Sequence, residues 1–213
     1  MRIPVILSYI IFSATGSALA QNAYVNLGRQ AFMDGDFRTA VAHLEKACVV
    51  DSTNADALWM LGYSYYHNES YKKAVVTYSR VIAIKPGDDR AYYYCARAYT
   101  YLAKDIHASA ADKEKALYNA IFDFTHSINI NPNDMKVYQN RAIAYREYGV
   151  FKLQSSKPAD RTRGINSLKA SVADFEKVLS VDGSRSDIET LLAISKDKLA
   201  GATAPVTAVA NHR

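Results

Sequence analysis

Two kinds of side chain stand out for what they could do to another molecule. Trp59, Tyr63, Tyr66, Tyr93, Tyr94 and Tyr101 offer broad rigid faces, most with a polar tip; Arg29, Arg90, Arg97 and Arg146 offer a planar, permanently charged fork. Their chemistry is recognition: Trp, Tyr and Arg are the types enriched at the energetic centres of protein interfaces. Bond-making chemistry needs a nucleophile, an acid–base pair or a metal held at fixed spacing, and the sequence has no HExxH, GxxxxGK, GxGxxG or GxSxG. His43, His67, His107, His126 and His212 are scattered without a ligand interval and read as surface or capping residues. Asp160, Arg161 and Arg163 read as a solvated charged segment. No enzyme activity, metal or cofactor is expected.

The elements that must position these side chains are set by a period. Gly28 and Gly62 lie 34 residues apart, and the same offset pairs Tyr24 with Leu58, Leu27 with Leu61, Ala40 with Ala74 and Leu44 with Tyr78. It then carries Leu58, Leu61 and Tyr65 onto Tyr92, Cys95 and Tyr99. Self-similarity on this scale signals stacked units, each burying its apolar face against its neighbours. Gly62 and Ala74 are small enough for two helix backbones to approach closely, Tyr65 and Tyr78 large enough to fill the space beside them, and Pro86 ends the returning helix.

Leu61-Gly62, Tyr65, Ala74, Tyr78 and Pro86 together resemble the tetratricopeptide repeat family, whose unit is a pair of antiparallel helices. The resemblance implies an all-α fold, a right-handed superhelical array of helix-turn-helix repeats closed by a C-terminal capping helix. Repeat one runs 21–54, with Tyr24, Leu27, Gly28 and Ala31 on one face and a turn at Gly35-Asp36. Repeat two runs 55–88, turning near Asn68-Glu69-Ser70, which also matches the N-glycosylation pattern by chance. Repeat three, 89–134, holds an insertion around 104–117, because Pro86 and Pro132 are 46 positions apart. Ser109 to Asp112 reads as a helix start, so the extra residues are expected mainly to lengthen the two helices. Repeat four, 135–185, holds a second insertion, with Phe124 and Phe175 separated by 51. Loop composition begins at Ser155, and Ser171 stands where the family has Ala. A capping helix is expected over 187–199 and a disordered tail over 201–213.

In this family the first helix of each pair lines a concave groove. Carried over, the groove positions hold Val25, Arg29 and Phe32; Trp59, Met60, Tyr63, Tyr66 and His67; Arg90, Tyr93, Tyr94, Arg97 and Tyr101; and Ile143 and Arg146, among others. The resemblance thus implies a partner-binding groove built on Arg29, Trp59, Tyr63, Tyr66, Arg90, Tyr93, Arg97, Tyr101 and Arg146. A carboxylate clamp found in the family would fall on Val25, Arg29, Met60, Arg90 and Tyr94, of which only the arginines suit it. An extended or helical peptide docking on the rings, with Arg29, Arg90 or Arg97 meeting an acidic group, fits better. Tyr92 to Tyr94 point in different directions on a helix, so at least one is core. Packing between repeats and a homodimer that covers the groove remain alternative uses of the rings.

A chain of 213 residues, 49% hydrophobic and 22% charged, is of ordinary globular composition and long enough for a continuous core. Arg2, the apolar run Ile3–Phe12 and Ala18-Leu19-Ala20 read as a secretory signal peptide over 1–20. That run is shorter than the ~20 residues of a spanning helix, so no stable membrane insertion is expected after cleavage. A net charge of +5, one less without Arg2, is too mild to point to nucleic acid. Cys48 and Cys95 are separated by a helix pair and read as buried thiols rather than a bridge. The functional expectation is a non-catalytic scaffold or adaptor that binds a protein or peptide in the cell envelope, the periplasm or the extracellular space. The alternative is a chaperone-like accessory that holds unfolded substrates for a secretion or envelope-assembly machine.

Overall fold

The computed structural model describes residues 23–204, and among them every regular element is a helix. α1 spans 23–33. It is followed by α2 (Phe37–Val50), α3 (Ala55–His67), α4 (Tyr71–Ile84), α5 (Asp89–Lys104), α6 (Ala110–Ile130), α7 (Met135–Leu153), α8 (Pro158–Val181) and α9 (Ser186–Thr203). The chain divides into two compact units, Met1–Ala98 and Tyr99–Arg213. The expected signal peptide and the end of the expected tail lie outside the described residues.

In the first unit the helix starts are written in the sequence. Asp36 accepts from the Thr39 N–H, and Asn54 from the Ala57 N–H, each satisfying a donor that the first turn leaves free. The turn inside each helix pair passes through a left-handed residue, Gly35 at φ 75° and Glu69 at φ 57°, one period apart. Close approach is also periodic. A Cβ on Gly28 would stand 2.6 Å from Leu44 Cγ, and one on Gly62 would stand 3.1 Å from the Tyr78 ring. Ala40, Leu44, Ala74 and Tyr78 are fully buried. On the outer side, the Tyr65 hydroxyl donates to Glu45, which Lys73 also reaches at 3.3 Å, tying α2, α3 and α4 together.

α1 departs from expectation. Its buried positions are Val25, Gly28 and Ala31, while Leu27 is half exposed. With about 100° of rotation per residue, Leu27 falls off the face that carries Gly28. Met60 and Tyr66 on α3 are also buried, at 8% and 6% exposure. Both were placed in the groove by the resemblance, as Val25 was. Cys48 and Cys95 are buried and unbridged, and burial pushes the Cys48 thiol up.

In the second unit the inserted residues go into helix. α6, α7 and α8 have 21, 19 and 24 residues, against 13 and 14 in α3 and α4. Ser109 caps α6 by accepting from the Asp112 N–H, as its sequence implied. The loop composition that begins at Ser155 ends where Pro158 opens α8 in the first turn, a position that needs no N–H. The long α7 and α8 touch through glycines: a Cβ on Gly149 would stand 2.9 Å from the Gly164 carbonyl oxygen, and the reverse is equally close.

Buried charges join the same helices. Arg141 grips Asp174 through two bonds of 2.8 Å and reaches the Thr125 hydroxyl at 3.1 Å. Lys152, 6% exposed in its side chain, lies 2.6 Å from Glu114 and 2.9 Å from Asp160. Ser171 occupies its small-residue site fully buried, its hydroxyl 3.0 Å from that of Ser195 on α9. Ile188 of α9 is buried with Ala142, Phe175 and Val178. The helix runs to Thr203, beyond the Leu199 end expected, and takes in Gly201.

Candidate protein-interaction surface

On α3, Trp59, Tyr63 and His67 are four residues apart, so their rings rise along one face. Trp59 and Tyr63 stack at 5.4 Å between centroids, and Tyr63 and His67 lie at 4.3 Å. α1 and α2 add Phe32, 5.3 Å from Tyr63, and Phe37, which stacks on His67 at 4.6 Å. α5 adds Tyr94, edge-on to Tyr63 at 5.0 Å and to Trp59 at 6.0 Å. These are the offset and edge-to-face geometries that aromatic quadrupoles favour. The result is a continuous wall of rings within the first unit.

Guanidinium groups lie on this wall. Arg90 stands over Trp59 at 5.1 Å, and Arg97 stands over Tyr66 at 5.1 Å and Tyr93 at 5.7 Å. Burial, reinforced by Tyr63, pushes the Tyr94 hydroxyl up to about 12, so it stays a neutral donor. Burial, with the positive field of Arg97, holds the His67 imidazole below its ordinary 6.5.

At one end of the wall a cavity of about 390 Å³ is lined by Arg29, Phe32, Trp59, Lys85 and Arg90, with Asp56 and Asp88. Both carboxylates are engaged. Asp56 accepts from Lys85 at 2.7 Å, and Asp88 accepts from the Ala91 N–H at 3.0 Å. Neither Arg29 nor Arg90 has a carboxylate within salt-bridge distance among the described residues. Trp59 Nε1 is shut off from solvent with no acceptor. An orphaned indole N–H beside two arginines that make no salt bridge among the described residues forms a site that would welcome an oxygen acceptor or an anion.

The structure therefore brings together seven of the nine expected groove residues: Arg29, Trp59, Tyr63, Tyr66, Arg90, Tyr93 and Arg97 all lie in the first unit. Tyr66 serves as buried backing rather than exposed surface. Tyr101 and Arg146 belong to the second unit, where Lys104 stands 6.0 Å over the Tyr101 ring. Sequence reasoning missed Phe37. The period could have found it, since Phe37 is offset by 34 from Tyr71, which makes the matching ring contact with Tyr66 at 5.7 Å.

Residues 33–111 match the family described as anaphase-promoting complex, cyclosome, subunit 3. A 96-residue stretch is 32% identical to human DnaJ homolog subfamily C member 7, covering 43% of this chain and 19% of that relative, so the match spans about a fifth of its length. Among solved structures, a MamA crystal form designated MSR-1 C2 superposes with a TM-score of 0.64 at 15% identity, covering 85% of this chain and 88% of that one. YrrB, described as a TPR protein with an unusual peptide-binding site, gives 0.62 at 15% identity over 84% and 78%. The chain has the all-helical fold of tetratricopeptide-repeat structures. Its second repeat, 55–88, carries the small, large and proline positions of the tetratricopeptide unit, with Gly62 against Tyr78 as the packing requires.

Among the described residues, no group of three or more His, Cys, Asp or Glu could hold a metal ion. No described helix is long and apolar enough to cross a membrane.

Proposed function

We propose that this protein is a non-catalytic scaffold that receives an extended or helical peptide on the ring wall of its first unit. The rings of Trp59, Tyr63 and Tyr94 supply contact area, and Arg29 and Arg90 meet an acidic group of the partner. The observation that carries this reading is Trp59, whose ring lies beneath Arg90 while its N–H lacks an acceptor. A peptide carbonyl or carboxylate seated in the adjoining cavity satisfies both. The leader-like run at the N-terminus supports action in the cell envelope or outside the cell, and a peptide-binding neighbour of the same fold, YrrB, supports the choice of ligand.

Trp59 is the only tryptophan in the chain, so its fluorescence reports on this site alone. Titration with synthetic peptides pairing an acidic residue with a leucine or aromatic residue should change that emission saturably at one-to-one stoichiometry. Arg29→Ala with Arg90→Ala should weaken the response while leaving helicity intact. Peptides that leave Trp59 silent, or bind the double variant equally well, would show the rings to be packing only. Salt-insensitive binding of many unrelated unfolded chains would point instead to the holding role, and concentration-dependent dimerisation that blocks the response would point to self-association.

A further inference from the structure

The second unit contains a different site. A cavity of about 430 Å³ opens between the end of α5, the start of α6, the C-terminal half of α7 and α9. Lys104, Lys113, Arg146 and Lys198 contribute four cations, and Glu147 is the only acidic residue among the lining side chains. Glu147 pairs with Lys104 at 3.5 Å. Among the described residues, Lys198 has only the distant Asp197, at 3.9 Å, and Lys113 has no carboxylate within salt-bridge distance. The nearby Glu114 is taken by Lys152. Phe151 and Ile194 add apolar surface to the lining.

Arg146 is the informative member. Its Nη1 is out of contact with solvent and has no hydrogen-bond partner, and burial, only partly offset by Glu147, pulls the guanidinium down. A half-buried cation left with an unmade bond is costly, and it becomes favourable when an anion arrives to share it. The volume falls within the range of small-molecule pockets, and a few convergent charges above an apolar floor are what fix the orientation of such ligands. Val150 and Phe151 lie on the last turns of α7 and Gln154 caps it, beyond the length of the 13-residue α3, so part of the lining comes from this chain's departure from the 34-residue period, while Arg146 holds the position that Tyr66 holds in α3.

We infer that this cavity binds a small organic oxyanion, with a carboxylate or phosphate head among Arg146, Lys113 and Lys198 and a short apolar body against Phe151 and Ile194. Its residues are separate from the ring wall, and either site can fail without the other. The test is two-dimensional NMR of the arginine Nε–H groups of the full chain, titrated with hexanoate, phenyl phosphate, inorganic phosphate and neutral hexanol.

The Arg146 signal should move saturably with hexanoate or phenyl phosphate, less with inorganic phosphate, and not with hexanol. Whichever organic anion binds more tightly identifies the head group. Lys113→Gln, an exposed change that leaves packing intact, should weaken binding by about tenfold, the scale of one charge-assisted bond. Arg146→Met should abolish the thermal stabilisation given by the organic anion. If the anions leave the Arg146 signal unmoved, or stabilise the Arg146→Met and Lys113→Gln variants as much as the parent, the inference is overturned.

Discussion

The crossing of α7 and α8 can be tested with a single methyl group. Alanine in place of glycine inside a helix is ordinarily favourable by about 0.8–1.0 kcal/mol. At Gly149 the new Cβ would stand 2.9 Å from the Gly164 carbonyl oxygen and 2.9 Å from Leu168 Cγ. The first is backbone and the second belongs to a fully buried side chain, so neither yields without separating the helices. Overpacking of this kind costs about 1–3 kcal/mol. The two effects leave Gly149→Ala destabilised by about 1 kcal/mol, a fall of about 2–4 °C in melting temperature for a chain of this size. Gly201, inside α9 with nothing within 4 Å of its would-be Cβ, is the control, and Gly201→Ala should be neutral or stabilising.

Gly164→Ala meets the Gly149 carbonyl and Leu153 at the same distances, so it strains the same crossing from the other side. Once one methyl has spread the helices, the second adds less, and the double variant should lose less than the sum of the two. Circular dichroism melts and urea midpoints of the four proteins measure this directly. A Gly149→Ala chain more stable than its parent, or strict additivity of the pair, would refute the close-packed crossing.

Other outcomes follow from the same reasoning. Glu69 holds the left-handed conformation that Gly35 holds one repeat earlier, so Glu69→Gly should raise stability by about 0.5–1 kcal/mol in denaturant unfolding. Lys152→Ala removes the cation that Asp160 and Glu114 share and should lower the melting temperature, while the same change at exposed Lys113 should have little effect on stability. His67 is held below its ordinary value, so the unfolded chain takes up its proton first. Its contribution is therefore full above pH 6.5 and is lost as pH falls from there through the lower folded value. His67→Gln should flatten that part of the stability profile, and an unchanged slope would show that the imidazole stays solvated.

The fold was legible because the repeat is written in side-chain size. Gly28 with Leu44 and Gly62 with Tyr78 are one packing event at two places, and the 34-residue offset alone pairs them. The helix start at Ser109 was equally plain, since a capping oxygen acts locally. The pair at Gly149 and Gly164 was not foreseen, because the insertions break the offset and nothing in the sequence says which residues of two long helices will cross. The site was half legible. Ring and guanidinium types singled out Trp59, Tyr63 and Arg90, and the structure places the three in contact on one wall. Burial of Val25, Met60 and Tyr66 depends on rotation about each helix axis, and a family-wide groove register does not fix that to within one residue. The orphaned nitrogens of Trp59 and Arg146 are invisible in sequence, because a missing partner is a property of the assembled neighbourhood.

Both cysteines, Cys48 on α2 and Cys95 on α5, are buried in the first unit, and the chain has no others. A thiol-reactive reagent added to the native protein can reach Cys95, 1% exposed, only when that unit opens, whereas Cys48 lines a surface pocket. The rate of labelling at Cys95 clocks the opening of the half that carries the ring wall, while the half that carries the oxyanion cavity stays unlabelled.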